Sequence, residues 1–467
     1  MSRGLRTAVR WLGGLALVAV LAYLVTCVIF QRGEPMVEFG EIPEDPLRDG
    51  VPPDFLWGVA TSAHQIEGGN VWNDWARFEA EPGNIHGGER SGMASDHWNR
   101  MPLDVWLLGN LGANAYRFSI EWSRVEPSEG QWSEEAWEQY RELVVLLREV
   151  GVIPMVTLLH FTLPTWIADR GGLTAEDFPE RFARFAGEAA RRLGDEVDLW
   201  CTLNEPNVQM YQGYVEGIWP PGVRDTSLAS AAFAGSVRAH AAAAEALRRA
   251  DPGAQVGLAI NNIVFDPSSR WSLLDWIAAG QADAGFNWAH YDSIAAGRVQ
   301  FDLAGFPSID EPLEALLGSA DWVGINYYRR NLVRFDASAP GLVELRPGPG
   351  PLSDSGVEIY PEGLLRLLRR IWKRYGMPIY VTENGVSDAK DKLRADFVRG
   401  HAYALSRALE DGIPVRGYFH WSLMDNFEWT EGFGPRFGLH QVDYSTFERS
   451  WTRGADAFRR LAPGEVP

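Results

Sequence analysis

Two short motifs place a carboxylate beside an amide at the end of an apolar run: TLNEP, with Asn204 and Glu205, and TENG, with Glu383 and Asn384. A strand packed on both faces should be apolar throughout, so a run that ends on a glutamate needs a reason. Two carboxylates converging in an aromatic-rich pocket suit the cleavage of a glycosidic bond. One attacks the anomeric carbon while the other protonates the departing oxygen. A pair that retains configuration stands about 5–5.5 Å apart, and an inverting pair roughly 6.5–9.5 Å apart to admit a water; sequence leaves both open. The acid must keep its proton near neutral pH while the nucleophile is ionised. A negative neighbour raises the first, and an adjacent guanidinium lowers the second. Arg117, in YRFSIEW, is a basic residue inside a strand pattern, where it is buried only if paired. Its partner is either the nucleophile or a structural acid such as Glu121.

The elements that position these residues follow from apolar periodicity. Strand candidates are FLWGVATS (55–62), AYRFSIEW (115–122), IPMVTLLH (153–160), DLWCTLNEP (198–206), QVGLAI (255–260), DWVGINYY (321–328), IYVTENG (379–385) and VRGYFHWS (415–422). Helical patterns lie between them, such as 134–151 and 177–194. Eight strands alternating with helices predict an α/β fold, a parallel (β/α)8 TIM barrel formed by residues 53–467 as one catalytic domain. Strands four and seven lie nearly opposite across such a barrel, so Glu205 and Glu383 can face each other. The runs end on Gln65 and Glu67, Glu121, His160, Asn204 and Glu205, Asn326 and Tyr328, Glu383 and Asn384, and Trp421 and Ser422. One polar strand end is explained by a cap; the whole series matches the mouth of a barrel, where these folds place their chemistry.

Composition excludes several classes. The net charge of −19 argues against nucleic acid. There is no CxxC pair, HExxH or Walker loop, so no metal or nucleotide cofactor is expected. The two cysteines, Cys27 and Cys201, form no disulfide framework. Residues 11–31 carry no charged side chain, and as a helix the run WLGGLALVAVLAYLVTCVIF is about 30 Å long, enough to cross a bilayer. Arg3, Arg6 and Arg10 precede it, which predicts a cytoplasmic N-terminus (1–10), a single-pass transmembrane anchor (11–31) and a body on the extracytoplasmic side. A cleaved signal peptide would have a shorter apolar core and a small-residue cleavage site. Residues 32–52 are acidic and proline-bearing and read as a tether. Oligomeric state is not legible.

Taken in order, DFLWGVATSAHQIEG, YRFSIEWSRVEP, TLLHFTLPTW, TLNEPN, GINYY, VTENGVSD and WSLMDNFEWTEGFGPRFGL resemble the family 1 glycoside hydrolases, the β-glucosidase and β-galactosidase barrel family. The resemblance runs from about Phe55 to the C-terminus. It implies that Glu205 is the general acid/base and Glu383 the nucleophile, with Asn204 on the sugar 2-hydroxyl and Arg117 and Tyr328 tuning the nucleophile. It further implies that Gln65, His160, Asn326, Glu428 and Trp429 grip sugar hydroxyls. Trp421 would be the platform under the ring and Phe437 a wall near C6. The thioglucosidase branch has Gln in place of the acid/base, and here Glu205 is present. The 6-phospho-glycosidase branch lacks the Glu of the FEW motif, and here Glu428 is kept, whose negative charge would repel a phosphate. The klotho-like branch lacks one or both catalytic glutamates. Two departures stand out: Thr162 where Asp is frequent, and His64 before Gln65.

The implied function is a retaining β-glycosidase, most simply a β-glucosidase, acting on an oligosaccharide, aryl or alkyl glycoside or glycolipid. IADRGG, IYPEGL and the apolar N-terminal run are also similar to the membrane-anchored galactolipid galactosyltransferase of the sensitive-to-freezing type. That similarity implies an alternative, a transglycosidase whose covalent intermediate is captured by a glycolipid. A non-catalytic carbohydrate receptor that retains both glutamates is the alternative of another class.

Overall fold

The computed structural model describes residues 3–47, 50–338 and 342–463, with side chains from residue 11 onward. Residues 1–2 and the side chains of Arg3, Arg6 and Arg10, to which a cytoplasmic N-terminus was assigned, lie outside the described residues.

Eight parallel strands close on themselves: β1 (Leu56–Ala60), β2 (Ala115–Ser119), β3 (Ile153–Leu159), β4 (Leu199–Asn204), β5 (Gln255–Pro267), β6 (Trp322–Phe335), β7 (Ile379–Asn384) and β8 (Val415–Trp421). Each pairs with the next, β8 returns to β1, and β7 bridges β6 and β8. Helices such as Glu134–Glu149 and Phe178–Leu193 fill the outer layer. Both follow the expected amphipathic pattern, and Ser133 caps the first by accepting from the Ala136 N–H. Inside the barrel, Leu56, Ala60, Met155, Cys201, Ala259, Trp322 and Phe419 pack as the filled interior of such a fold.

The barrel strands fall where the apolar runs place them, except that β5 and β6 run past the mouth. Asn262–Pro267 of β5 stay paired with β6 up to Val333, and the strand Val343–Pro347 adds antiparallel to β6. The result is a sheet ledge over one side of the mouth. The helix Leu273–Asp283, which follows β5, packs on this ledge through Ala278, Ala279 and Val333. It forms the rim on that side.

The apolar run forms one helix, Arg3–Gly33, and residues 11–24 are exposed. The described part of the 32–52 segment, read as a tether, does not hang free. Glu34 lies 3.9 and 3.7 Å from Arg366 and Arg370. Phe39 packs edge-on against Tyr403, its N–H donates to Glu362, and Leu47 is buried in the main core. Apolar residues interspersed among the acids make it a strap along the barrel's outer helices.

Strand β7 meets β8 at an unusually close approach. A Cβ on Gly385, the residue after Asn384, would collide with the Trp421 carbonyl oxygen, a backbone atom that cannot swing away. Gly385→Ala should therefore lower stability by about 1–3 kcal/mol, read as an earlier urea midpoint. Gly109→Ala is the control: nothing lies within 4 Å of that Cβ, and its effect should be neutral or slightly stabilising.

Candidate active site

The site is assembled around Arg117 at the centre of β2. Its guanidinium is 1% exposed and is fully committed to partners. Nε donates to Thr157 Oγ1 (3.0 Å), Nη1 to Glu383 Oε1 (2.6 Å) and to the Thr382 carbonyl (3.1 Å), and Nη2 to Asn204 Oδ1 (2.6 Å). Of the two partners considered for Arg117, the structure selects Glu383. Glu121 instead accepts from Ser123, Asn73 and Thr162, so it belongs to a neighbouring support network. The second oxygen of Glu383 accepts from Tyr328 Oη at 2.6 Å.

Glu205 is positioned by backbone geometry. β4 ends at Asn204 and Pro206 opens the next helix, so the ordinary helical region is disfavoured for the intervening residue. Glu205 adopts φ 47°, ψ 51°, a left-handed conformation that costs about 1–2 kcal/mol for a residue with a Cβ. Phe161 and Trp429, the first beside His160, share this backbone region. Glu205 Oε1 accepts from two neutral amides, Asn326 Nδ2 (2.8 Å) and Asn261 Nδ2 (2.9 Å). Asn326 Nδ2 also donates to Asn204 Oδ1 (3.0 Å), so one hydrogen-bonded chain runs from Glu383 through Arg117, Asn204 and Asn326 to Glu205.

The same chain fixes the histidine. Asn204 spends Oδ1 on two donors, so its Nδ2 faces His160 Nε2 at 3.1 Å. Burial and the nearby Arg117 hold His160 well below its ordinary pKa, and it is neutral. Nε2 must then accept, and the proton sits on Nδ1, which is buried with no partner among the described residues.

The two carboxyls sit in opposite environments. Burial, and after it the charge of Glu383, pushes Glu205 up to about 8. Burial also raises Glu383, but Arg117 and the Tyr328 hydroxyl pull it back. Glu428 is pushed up to about 8, chiefly by burial and then by Glu383, Asp425 and Glu205. That shift favours its neutral form and weakens the negative charge expected to repel a phosphate.

The aromatic residues stack in a ladder. His160 lies 5.7 Å from Trp421 and 6.1 Å from Trp429 at interplanar angles of 22° and 14°. Trp429 lies 5.8 Å from His64 at 12°. Trp421 Nε1 donates to Glu428 (3.3 Å), and Phe437 meets Tyr328 edge-on. His64 is a support under Trp429, held by Glu79 at 2.6 Å. Burial opposes its charge, but Glu79, Glu121 and Asp74 raise its pKa. Gln65 spends its Nε2 on Asn426 and on the Phe427 carbonyl, fixing the loop that carries Glu428.

All twelve candidate residues are therefore gathered at one mouth. Other polar strand ends turn elsewhere: Glu67 to Arg124 and Tyr140, Asn384 to the Tyr327 carbonyl, and Ser422 to the Met424 carbonyl. Sequence reasoning missed Asn261, because the fifth strand was ended at Ile260. The two asparagines that follow it were the available signal.

These environments give two titrations of opposite sign. Glu383→Gln removes a negative neighbour and should lower the pKa of Glu205. Asn261→Ala removes a donor to the ionised form and should raise it. Carboxyl-carbon NMR of the labelled glutamates distinguishes the two directions.

Comparison with known proteins agrees with this geometry. Residues 47–462 match the sequence profile described as glycosyl hydrolase family 1. The chain is 34% identical to Beta-glucosidase A of Thermotoga maritima over 425 residues, covering 85% of this chain and 94% of that protein. It is 35% identical over 467 residues to a bifunctional beta-D-glucosidase/beta-D-fucosidase of Bifidobacterium breve, covering 88% and 97%. Among solved structures, a beta-glycosidase from Pyrococcus horikoshii superposes with a TM-score of 0.81 at 39% identity over 89% of this chain and 95% of that one. The Thermotoga maritima beta-glucosidase in complex with deoxynojirimycin gives 0.83 at 32% identity over 88% and 98%. The chain belongs to glycosyl hydrolase family 1.

Proposed function

We propose that the protein is a retaining β-glucosidase. The observation that carries this reading is the contrast between its two buried glutamates: Glu383 is hydrogen-bonded to a cation, Glu205 to neutral amides. In the first step a Glu383 oxygen forms a bond to the anomeric carbon as the bond to the leaving oxygen breaks, and Glu205 gives that oxygen its proton. In the second step Glu205 takes a proton from water, whose oxygen displaces Glu383 and restores the β configuration. Arg117 and Tyr328 fix both Glu383 oxygens, so the nucleophile is oriented before substrate arrives. Asn204 and Asn326 link the two carboxyls and line the sugar's 2-hydroxyl side. His160, Gln65, Glu428 and Trp429 bind the remaining hydroxyls, Trp421 is the apolar platform and Phe437 closes the C6 side. No metal or cofactor enters these steps.

In this reading residues 11–31 are a single-pass anchor, residues 32–52 the strap, and residues 53–467 the catalytic body on the extracytoplasmic side. The length of the apolar run, its exposed surface and the preceding arginines support it.

Hydrolysis of an aryl β-glucoside by the full chain should release β-glucose first, seen by proton NMR before mutarotation; α-glucose first would exclude retention. Rates should fall as pH rises through about 8, where Glu205 loses its proton. Glu205→Ala should cost about 10²–10⁴-fold on an alkyl glucoside and much less in glycosylation by dinitrophenyl glucoside, whose leaving group needs no proton. Equal losses on both would reject Glu205 as the acid. With glycolipid vesicles as the sole substrate, free sugar is expected; oligoglycosyl lipid would instead identify a transglycosidase.

A further inference from the structure

The rim helix Leu273–Asp283 has an outward face unlike that of a water-soluble surface. Trp271, Leu274 and Ile277 are 55%, 54% and 57% exposed and stand one helical turn apart. The helix has two acids, and both are turned away from this face. Asp275 accepts from the N–H groups of Ser269 and Phe335, and Asp283 pairs with Arg370. The exposed face is left without charge.

This face adjoins the apolar N-terminal helix. Tyr23 Oη donates to the Trp271 carbonyl (2.7 Å) and accepts from the Leu273 N–H (3.3 Å). Phe30 stacks on Trp276 at 5.5 Å, and Cys27 is fully buried between these contacts. Gln31 Nε2 donates to the Arg270 carbonyl, and Arg270 returns bonds to the carbonyls of Gln31 and Glu34. The contacts run from Tyr23 to Gln31, about 12 Å of helix. If residues 11–31 span a hydrocarbon core of about 30 Å, the last 12 Å lie in its outer part and headgroup layer. Whatever is fastened beside them lies at the same depth. A Trp flanked by aliphatic residues suits that layer, where an indole has one apolar and one wet side.

We propose that the rim helix is a second membrane contact, with Trp271, Leu274 and Ile277 seated in the interfacial layer of a lipid bilayer. The proposal rests on reading residues 11–31 as an anchor, and it adds an attitude. Because the rim follows the C-terminal end of β5, the bilayer lies toward the mouth end of the barrel, where Glu205 and Glu383 sit.

The test uses the full chain in phosphatidylcholine vesicles. Single cysteines carrying an environment-sensitive fluorophore are placed at Leu17, Leu274, Ile277 and, on a distant exposed helix end, Val150. Cys27 and Cys201 are buried, so the new thiol takes the label. None of the four positions touches the site, and unchanged aryl glucoside hydrolysis verifies folding. Nitroxide-bearing lipids should remove most of the emission at Leu17, Leu274 and Ile277 and leave Val150 bright, whereas aqueous iodide should do the reverse. If Leu17 meets lipid while Leu274 and Ile277 are quenched by iodide like Val150, the anchor stands and the rim contact is wrong. Shielding of Leu274 and Ile277 from both quenchers would mean that a second protein copy covers this face, and would also overturn the proposal. Quenching of Leu17 by iodide would remove the anchor reading itself.

Discussion

A buried guanidinium is the constraint on which the site depends. A cation inside a barrel is tolerated only when its N–H groups and its charge are all answered, because the alternative is a large desolvation cost. Arg117 is answered by residues from three other strands: Thr157 on β3, Asn204 on β4, and Glu383 with the Thr382 carbonyl on β7. Removing either member of such a buried pair typically costs about 3–5 kcal/mol, since it strands the other charge. Catalytic and structural requirements therefore fall on the same atoms. The carboxylate that neutralises the arginine is also the one held ready at the barrel mouth.

Environment then differentiates chemically identical side chains. Glu383 has a cation and a phenol, Glu205 has two amides, and Glu428 has an indole N–H. Burial is the largest influence on all three, and what remains is decided by partners. Glu428, with the weakest of these partners, is pushed toward its neutral form. The left-handed backbone at Phe161, Glu205 and Trp429 places local strain beside the same mouth.

Much of this was legible in sequence because a barrel strand buried on both faces is written as an uninterrupted apolar run. Five runs end within two residues of their structural strand ends, and the second overruns its strand by three. The fifth run was cut at Ile260, and the sixth is likewise short, because beyond the mouth these strands leave the barrel and join a half-exposed ledge with mixed polarity. That cut hid Asn261. The roles of Gln65, His160 and Phe437 needed the family resemblance, since periodicity does not say which way a loop side chain points. The raised pKa of Glu428 depends on burial by distant chain segments, which no local pattern records. The strap was obscured by its own acids and prolines, although Val37, Phe39 and Leu47 carried the signal of a packed segment.

If residues 11–31 lie in a bilayer, the packed strap would also set how the enzyme meets its substrate. A free linker over residues 32–52 would reach roughly 70 Å, letting the body tumble and sample a hemisphere of solution above its anchor. Laid along the outer helices, it removes that freedom in advance. With the anchor in a bilayer, the catalytic mouth would keep one height and one tilt, and encounter would be governed by lateral diffusion in two dimensions. Turnover of a membrane-bound glycoside would then follow its surface density in the lipid, not its concentration in bulk.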